Sequence, residues 1–466
     1  MSVFEQIKKL IAKKINNNSY FCALKQGPRP QNRAKMLLKF SVTNFRSFGK
    51  EMTLDLLASN GIKDLKGNGV TVIGSGPSSF KVVNGIAIYG ANSSGKSNLL
   101  SAMKTMKRMV MESVRLNDNE SLPYDPFLFS TREPQPTRFE ITYYEPNSRR
   151  GIYVYGFEYT ENAIVNEWLQ AKWPGRSEKR LIDRTPDGVT IDETNFTEGI
   201  RARELPLNKN RLFLSLAGQA GGEISNNVIN WFWRSLRVIS GIQDTTSRYT
   251  RKRVADSPEA KERVQQFLCK MSLGFERFDV EKVDFEQFPG MPKELIAQYK
   301  RDPYIQVYSV HNVYDENGSV VRTEQLDLDN QESAGTNKVF ALSAPILESL
   351  DDGVTLVVDE LDSKMHTKLS ERLIQMFNNP EENPHGAQLV FTAHDTNLLS
   401  NELLRRDQIW FTKKDAVENS SIYSLLKAHE ESVKLSHAPR NDSNYQKNYV
   451  QGEYGAVPED DCSEDK

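Results

Sequence analysis

Apolar and polar positions alternate with period two near the start of the foldable chain. Leu38, Phe40 and Val42 lead this pattern, and Met52-Thr-Leu-Asp-Leu repeats it. Such alternation predicts strands with one buried face. Val82 to Tyr89 is more continuously apolar and predicts a single buried strand. A Gly-rich stretch follows, then a helix-prone run from Lys96 to about Val114. Residues 139–169 predict β-hairpins, and residues 200–300 read as mainly helical with charged faces. Tyr304 to Thr323 predicts another hairpin, turning at Glu316-Asn317-Gly318. Strand–helix–strand order then returns. Val354–Val358 is a buried strand, Thr367–Phe377 a helix and Gln388–Thr392 a second buried strand, followed by Ile409-Trp-Phe and Ile422-Tyr-Ser. This alternation implies an α/β fold with a mostly parallel sheet. No repeat period and no sustained heptad run occurs, which excludes long coiled-coil arms.

The chain has 466 residues, 38% hydrophobic and 26% charged, which excludes wholesale disorder. Its longest apolar run falls short of the roughly 18–20 residues a membrane helix needs, and no signal-peptide pattern opens it. Three scattered cysteines, Cys22, Cys269 and Cys462, make neither a disulfide framework nor a zinc site and point to a reducing, cytoplasmic setting. Net charge is −2, yet residues 1–35 hold eight Lys/Arg against one acid. The rest of the chain is mildly acidic, so no global basic field points to nucleic acid. Residues 1–35 read as a basic, disordered extension.

Candidate chemistry concentrates in four places. Gly90-Ala91-Asn92-Ser93-Ser94-Gly95-Lys96-Ser97 matches the phosphate-binding loop in full, between an expected strand and an expected helix. Its glycines let backbone N–H groups face phosphates, Lys96 would reach the β- and γ-phosphates, and Ser97 would bind Mg²⁺. The apolar strand Val354–Val358 ends in Asp359-Glu360. Two adjacent carboxylates there are costly without a cation nearby. In a nucleotide site Asp359 would hold the Mg²⁺ shell and Glu360 would polarise the attacking water. His394 ends the next strand, where it would face the same crevice and bond the γ-phosphate. His311, His366, His385, His429 and His437 lack metal-ligand spacing. Finally, Gln331 to Lys338 opens a helix. Ser333 and Gly335 read either as an ordinary cap or as an anion site facing a second nucleotide.

These segments, in this order, resemble the ABC-type ATPases. Ser333-Ala334-Gly335-Thr336 is similar to their signature motif and, with Glu332, departs from Leu-Ser-Gly-Gly-Gln at three positions. Asp362-Ser363-Lys364-Met365-His366 resembles the loop after the Walker B acids, with His366 where transporters carry Asp, and His394 matches the switch histidine. Phe40-Ser-Val-Thr-Asn-Phe-Arg-Ser-Phe resembles the opening strand of the SMC, RecF and OLD ATPases, which nominates Arg46 as a nucleotide neighbour. Gln135 is a poor match for the Q-loop glutamine. The fullest resemblance is to bacterial RloA-like AAA/ABC ATPases, relatives of the AriA-type phage-defence ATPases. It rests on Val42–Leu56, on Asp359–His366 with Phe391–Asp395, and on Tyr449-Val-Gln-Gly-Glu-Tyr-Gly-Ala-Val-Pro. Nothing resembles the TOPRIM nuclease half of OLD proteins.

The resemblance implies an ABC-type P-loop head built from residues 36–130 and 330–430 around one sheet. Residues 131–329 would form a β-rich lobe and helical insertion, and 431–466 a tail. It further implies ATP and Mg²⁺ as cofactors, hydrolysis, and a homodimer or larger homo-oligomer with ATP sandwiched between heads. A sensor or scaffold role in anti-phage defence, controlling a separately encoded effector, follows from the same likeness. The other reading is a RecF/SMC-like DNA-binding ATPase of repair, for which Arg248-Tyr-Thr-Arg-Lys-Arg-Val is the compact basic cluster. A structural subunit that barely hydrolyses nucleotide is disfavoured by the complete Asp-Glu pair.

Overall fold

The computed structural model describes residues 34–457 apart from 75–78, 131–134, 147–150, 241–243, 288–290 and 433. The basic extension expected over residues 1–35 lies almost wholly outside the described residues, as do the last nine residues of the chain.

Two large sheets carry the structure. The nucleotide-type sheet is built from β1 (Gly85–Gly90), β2 (Leu236–Ile239), β3 (Thr355–Val358), β4 (Gln388–Thr392), β5 (Ile409–Lys414) and β6 (Ser420–Ser424), in the order β2-β3-β4-β1-β5-β6. Every neighbouring pair is parallel except β5 with β6. Strands β1, β3 and β4 are buried at every position, the mark of strands covered on both faces. Helix α1 (Lys96–Glu112) follows β1, α2 (Ala334–Asp352) precedes β3, and α3 (Thr367–Asn378) joins β3 to β4.

The second sheet corrects the expectation that residues 36–130 wrap around that one sheet. Leu37–Thr43 and Met52–Asp55 instead continue a seven-stranded antiparallel sheet with the hairpin strands between Thr137 and Ile191. Phe40 faces Ile141 across the register and Val42 faces Phe139. The physical reason lies in their alternation. Strands with one polar face suit an antiparallel sheet covered on one side, not a parallel sheet buried on both.

Two further expectations are corrected and another is refined. Val82–Tyr89 is not one strand: Phe80–Val83 pairs with Val70–Ile73, and β1 starts afresh at Gly85. Asn84 breaks the run because its side chain accepts from Thr71 Oγ1 at 2.7 Å and donates to Phe377 O at 3.2 Å. The stretch 200–300 is mainly helical as expected, but it also contains β2, an edge strand of the nucleotide-type sheet that continues directly from helix Glu223–Ser235 with no intervening breaker. Arg237 in that strand reaches Asp352 at 2.7 Å, so a charged residue inside the strand masks its apolar pattern. The expected tail, 431–466, instead packs on the fold as far as Val457. Tyr445, Tyr449 and Tyr454 are buried, and Tyr449 and Tyr454 ring-pack on Phe411. Among the described residues no helix is long and apolar enough to cross a membrane.

The antiparallel lobe has its own buried anchor. Glu167 is fully buried and accepts from the amides of Phe213 and Leu214 at 2.7 and 2.9 Å and from Tyr155 Oη at 3.0 Å, with Arg184 at 3.6 Å. The carboxylate caps a helix, Phe213–Gln219, whose preceding residue Leu212 has no capping side chain. Burial pushes its pKa up, against the opposing pull of Arg184 and the two amides. Glu167→Ala should therefore lower stability by about 3–5 kcal/mol in urea denaturation, because the charges and amides left behind cannot reach water.

Candidate functional site

The loop between β1 and α1 takes its shape from two glycines. A Cβ at Gly90 would stand 2.4 Å from the Thr412 carbonyl oxygen, and φ there is 151°. Gly95, at φ 112°, caps α1 where a Cβ would stand 2.7 Å from Ser420 Oγ. Ser93 also adopts a positive φ of 63°. Ser94 Oγ bonds Thr412 Oγ1 at 2.5 Å, tying the loop to β5. Lys96 is buried, and its ammonium donates to the carbonyls of Gly90 and Ala91 at 2.7 and 2.9 Å. Burial lowers its pKa, while Asp359, Glu360 and Asp362 act the other way.

Across the loop, Ser97 Oγ donates to Asp359 Oδ1 at 3.2 Å. Thr392, the last residue of β4, donates its hydroxyl to the same Asp359 oxygen at 2.7 Å and accepts the Glu360 amide at 2.6 Å. Glu360 itself is held at φ 51°, an uncommon conformation for a glutamate. Its carboxylate lines an open cavity of about 870 Å³ together with Lys96, Ser97, Asn92, Ser93, Gly95, Arg46 and His394. The hydroxyl of Ser97 and the carboxylate of Asp359 are hard oxygen donors, the chemistry Mg²⁺ prefers when phosphates complete its shell. These residues fit the ion the motif implies.

Two residues to which the sequence assigned no role of their own shape this arrangement. Asp362 Oδ2 accepts the backbone amides of His394, at 2.7 Å, and Asp395. It thereby locks the turn after β4 to the loop after β3. Lys338, on α2, is buried and donates to the carbonyls of Glu360 and Ser363 and to Ser363 Oγ. A lone lysine entering the apolar run Val339-Phe-Ala-Leu is the signal that could have found it. Burial drops its pKa to about 8, with Asp362 and Glu360 opposing the shift. The folded value lies below the ordinary 10.5, so its stability cost is greatest at low pH and relieved as pH rises from about 8 to 10.5. Its clamp on Glu360 runs in the opposite sense, since a neutral amine has one N–H fewer to donate. Lys338→Met should abolish the gain in stability between about pH 8 and 10.5, which urea denaturation across that range would read.

Ser333 and Gly335 do not line the loop cavity. Ser333 caps α2, accepting the Thr336 amide at 3.0 Å, and a Cβ at Gly335 would lie 2.6 Å from the Lys364 carbonyl oxygen. The signature-like segment thus packs on the loop after β3 of its own chain. Arg46, at φ 51°, does reach the cavity, and its guanidinium pairs with Asp125 at 3.2 Å. The Gln135 carbonyl accepts from Asn44 Nδ2 and Tyr124 Oη, and Gln135 does not line the cavity.

The C-terminal segment also touches the loop. The Ala91 amide donates to the Ala456 carbonyl at 3.0 Å, and the Tyr454 carbonyl accepts Tyr423 Oη at 2.6 Å. Tyr454→Ala should cost about 3–5 kcal/mol and should speed amide exchange at Ala91. Hydrogen-exchange mass spectrometry would resolve that local loosening.

A family profile described as "AAA domain, putative AbiEii toxin, Type IV TA system" matches residues 86–400, from β1 through the turn beyond β4. The chain belongs to this AAA-domain family. A search of curated proteins finds no match to its sequence. Solved structures similar to this AAA-domain chain include the SMC head domain from Thermotoga maritima, at 14% identity and TM-score 0.37, covering 83% of this chain and 98% of that one. An Smc head domain with an extended coiled coil, bound to the C-terminal domain of ScpA and derived from Pyrococcus furiosus, gives 14% identity, TM-score 0.41 and coverages of 85% and 98%. The recombination mediator protein RecF-ATPrS of the RecFOR pathway gives 12% identity, TM-score 0.36 and coverages of 84% and 99%.

Proposed function

We propose that this AAA-domain chain binds ATP with Mg²⁺ and hydrolyses it. The observation that carries this reading is the convergence on one cavity of the loop lysine Lys96, Ser97, Glu360 and His394, with Asp359 bonded to Ser97 behind it. Bound Mg²⁺ would neutralise charge on the β- and γ-phosphates, held by Ser97 and Asp359. The amides of Gly95, Lys96 and Ser97 at the N-terminus of α1 hold the phosphates, with Arg46 beside them. Glu360 accepts the proton of the attacking water, and His394 donates to the γ-phosphate. Ser333 and Gly335 face away from their own loop cavity, which suits a head-to-head dimer in which each signature segment meets the partner copy's nucleotide.

The biological role we favour is the sensor or scaffold ATPase of an anti-phage defence system, of RloA and AriA type, acting in the cytoplasm on a separately encoded effector. The family's description as a toxin-system domain supports that placement. The DNA-repair alternative draws little support from its basic cluster, three of whose four cations are paired inside the chain. Arg248 pairs with Asp302, Arg251 with Asp329 at 2.6 Å and Arg253 with Glu348 at 2.6 Å. The test is to capture Glu360→Gln protein from its own host with ATP present and to analyse bound protein and nucleic acid. A stoichiometric protein partner, absent with Lys96→Ala, is expected. Recovery of DNA alone, lost at raised salt, would instead promote the repair reading.

A further inference from the structure

We infer that Leu128 and Phe129 form the nucleoside platform of this cavity, with the Phe129 ring stacking on the base; the inference rests on the ATP-binding reading above. Large apolar side chains exposed inside a concave polar site need a reason. Leu128 is 76% exposed and Phe129 61% exposed, and both line the same cavity as Lys96 and Ser97. A triphosphate held by the loop must leave its nucleoside elsewhere in that cavity, and these two side chains offer exposed apolar surface there.

The segment is braced for such a role. The Asp125 carbonyl accepts the Arg46 amide at 2.7 Å, and the Phe127 amide donates to Asn44 Oδ1 at 3.0 Å. Phe127 is pressed so tightly on Gly49 that a Cβ there would lie 2.8 Å from its ring. Phe129 in turn sets its ring edge-on to Phe127, with centroids 5.7 Å apart and planes at 69°. The outer ring is therefore held by an aromatic neighbour while much of its surface stays open to the cavity. A base settling there would bury apolar area that water now covers, and stacking tolerates any base because every base has a π-face. The Arg46–Asp125 pair closes the neighbouring wall and offers charged atoms to the ribose or α-phosphate.

The experiment compares Mg-ATP with Mg-tripolyphosphate by titration calorimetry on the full chain. Wild type, Phe129→Ala and Phe129→Trp are the proteins. Phe129→Ala should weaken ATP about tenfold, the order of one base–aromatic stack, and leave tripolyphosphate unchanged; Phe129→Trp should restore ATP. Equal weakening of both ligands overturns the inference, as does unchanged ATP affinity. Unchanged affinity accompanied by weaker ATP-dependent self-association would assign the patch to a partner copy instead. A wild-type protein that binds tripolyphosphate and ATP equally well also overturns it. One that binds neither ligand fails the parent reading.

Discussion

Glu360→Gln should cut ATP turnover by about 10²–10⁴-fold, the usual worth of a positioned general base, while Mg-ATP still binds. The structure explains why the two properties separate. The features that place residue 360 belong to its backbone: the amide bonds Thr392 Oγ1 at 2.6 Å and the carbonyl accepts from Lys338. Glutamine keeps both and matches the size of glutamate, so the cavity wall is preserved and only the proton acceptor is lost. Trapped ATP should then hold two heads together, since charge on the γ-phosphate persists. Phosphate release, retained nucleotide after gel filtration and light-scattering mass would each report on this. If turnover survives, Glu360 is not the base. If the variant loses binding as fully as Lys96→Ala, the division of roles proposed here fails.

Lys96→Ala should lower ATP affinity by about 100-fold or more, a charge-assisted contact to phosphate being among the strong ones. Its ammonium sits among loop carbonyls at 2.7 and 2.9 Å, with Asp359 and Glu360 close enough to favour its charged form against burial. That ammonium is the loop's own positive charge facing the cavity floor, and no neighbouring residue of the loop can replace it. Thermal denaturation should show the fold retained, because Gly90, Gly95 and the Ser94–Thr412 bond shape the loop independently of the lysine. A variant that still binds ATP at wild-type strength would remove the phosphate-loop assignment altogether.

The two predictions draw on residues of different legibility. Gly90 to Ser97, Asp359, Glu360 and His394 stood out in the chain because each lies where an apolar strand ends, and the strand itself could be read. Arg46 was reachable only through family likeness, since nothing in its local pattern ties residue 46 to a loop some fifty positions on. Lys338, Asp362 and Ala456 stood inside legible segments, but their roles escaped because those are made by contacts across the fold. A buried lysine reaching the Glu360 carbonyl, a carboxylate accepting the His394 amide and a carbonyl meeting the Ala91 amide leave no periodic trace.

The sequence by itself determined the phosphate loop, the acidic strand end and the parallel strand–helix alternation. Those depend on local rules: glycines for tight curvature, unbroken apolar runs for strands buried on both faces, and an exposed helix start behind the loop. Tertiary structure decided that the first strands join the antiparallel lobe, that Leu236–Ile239 becomes the edge of the nucleotide-type sheet, and that the C-terminal tyrosines pack beneath the loop. The reason is that strand partners and buried aromatic neighbours are chosen by which surfaces remain uncovered once the rest has packed. That choice is a property of the assembled chain and is absent from any short stretch of it.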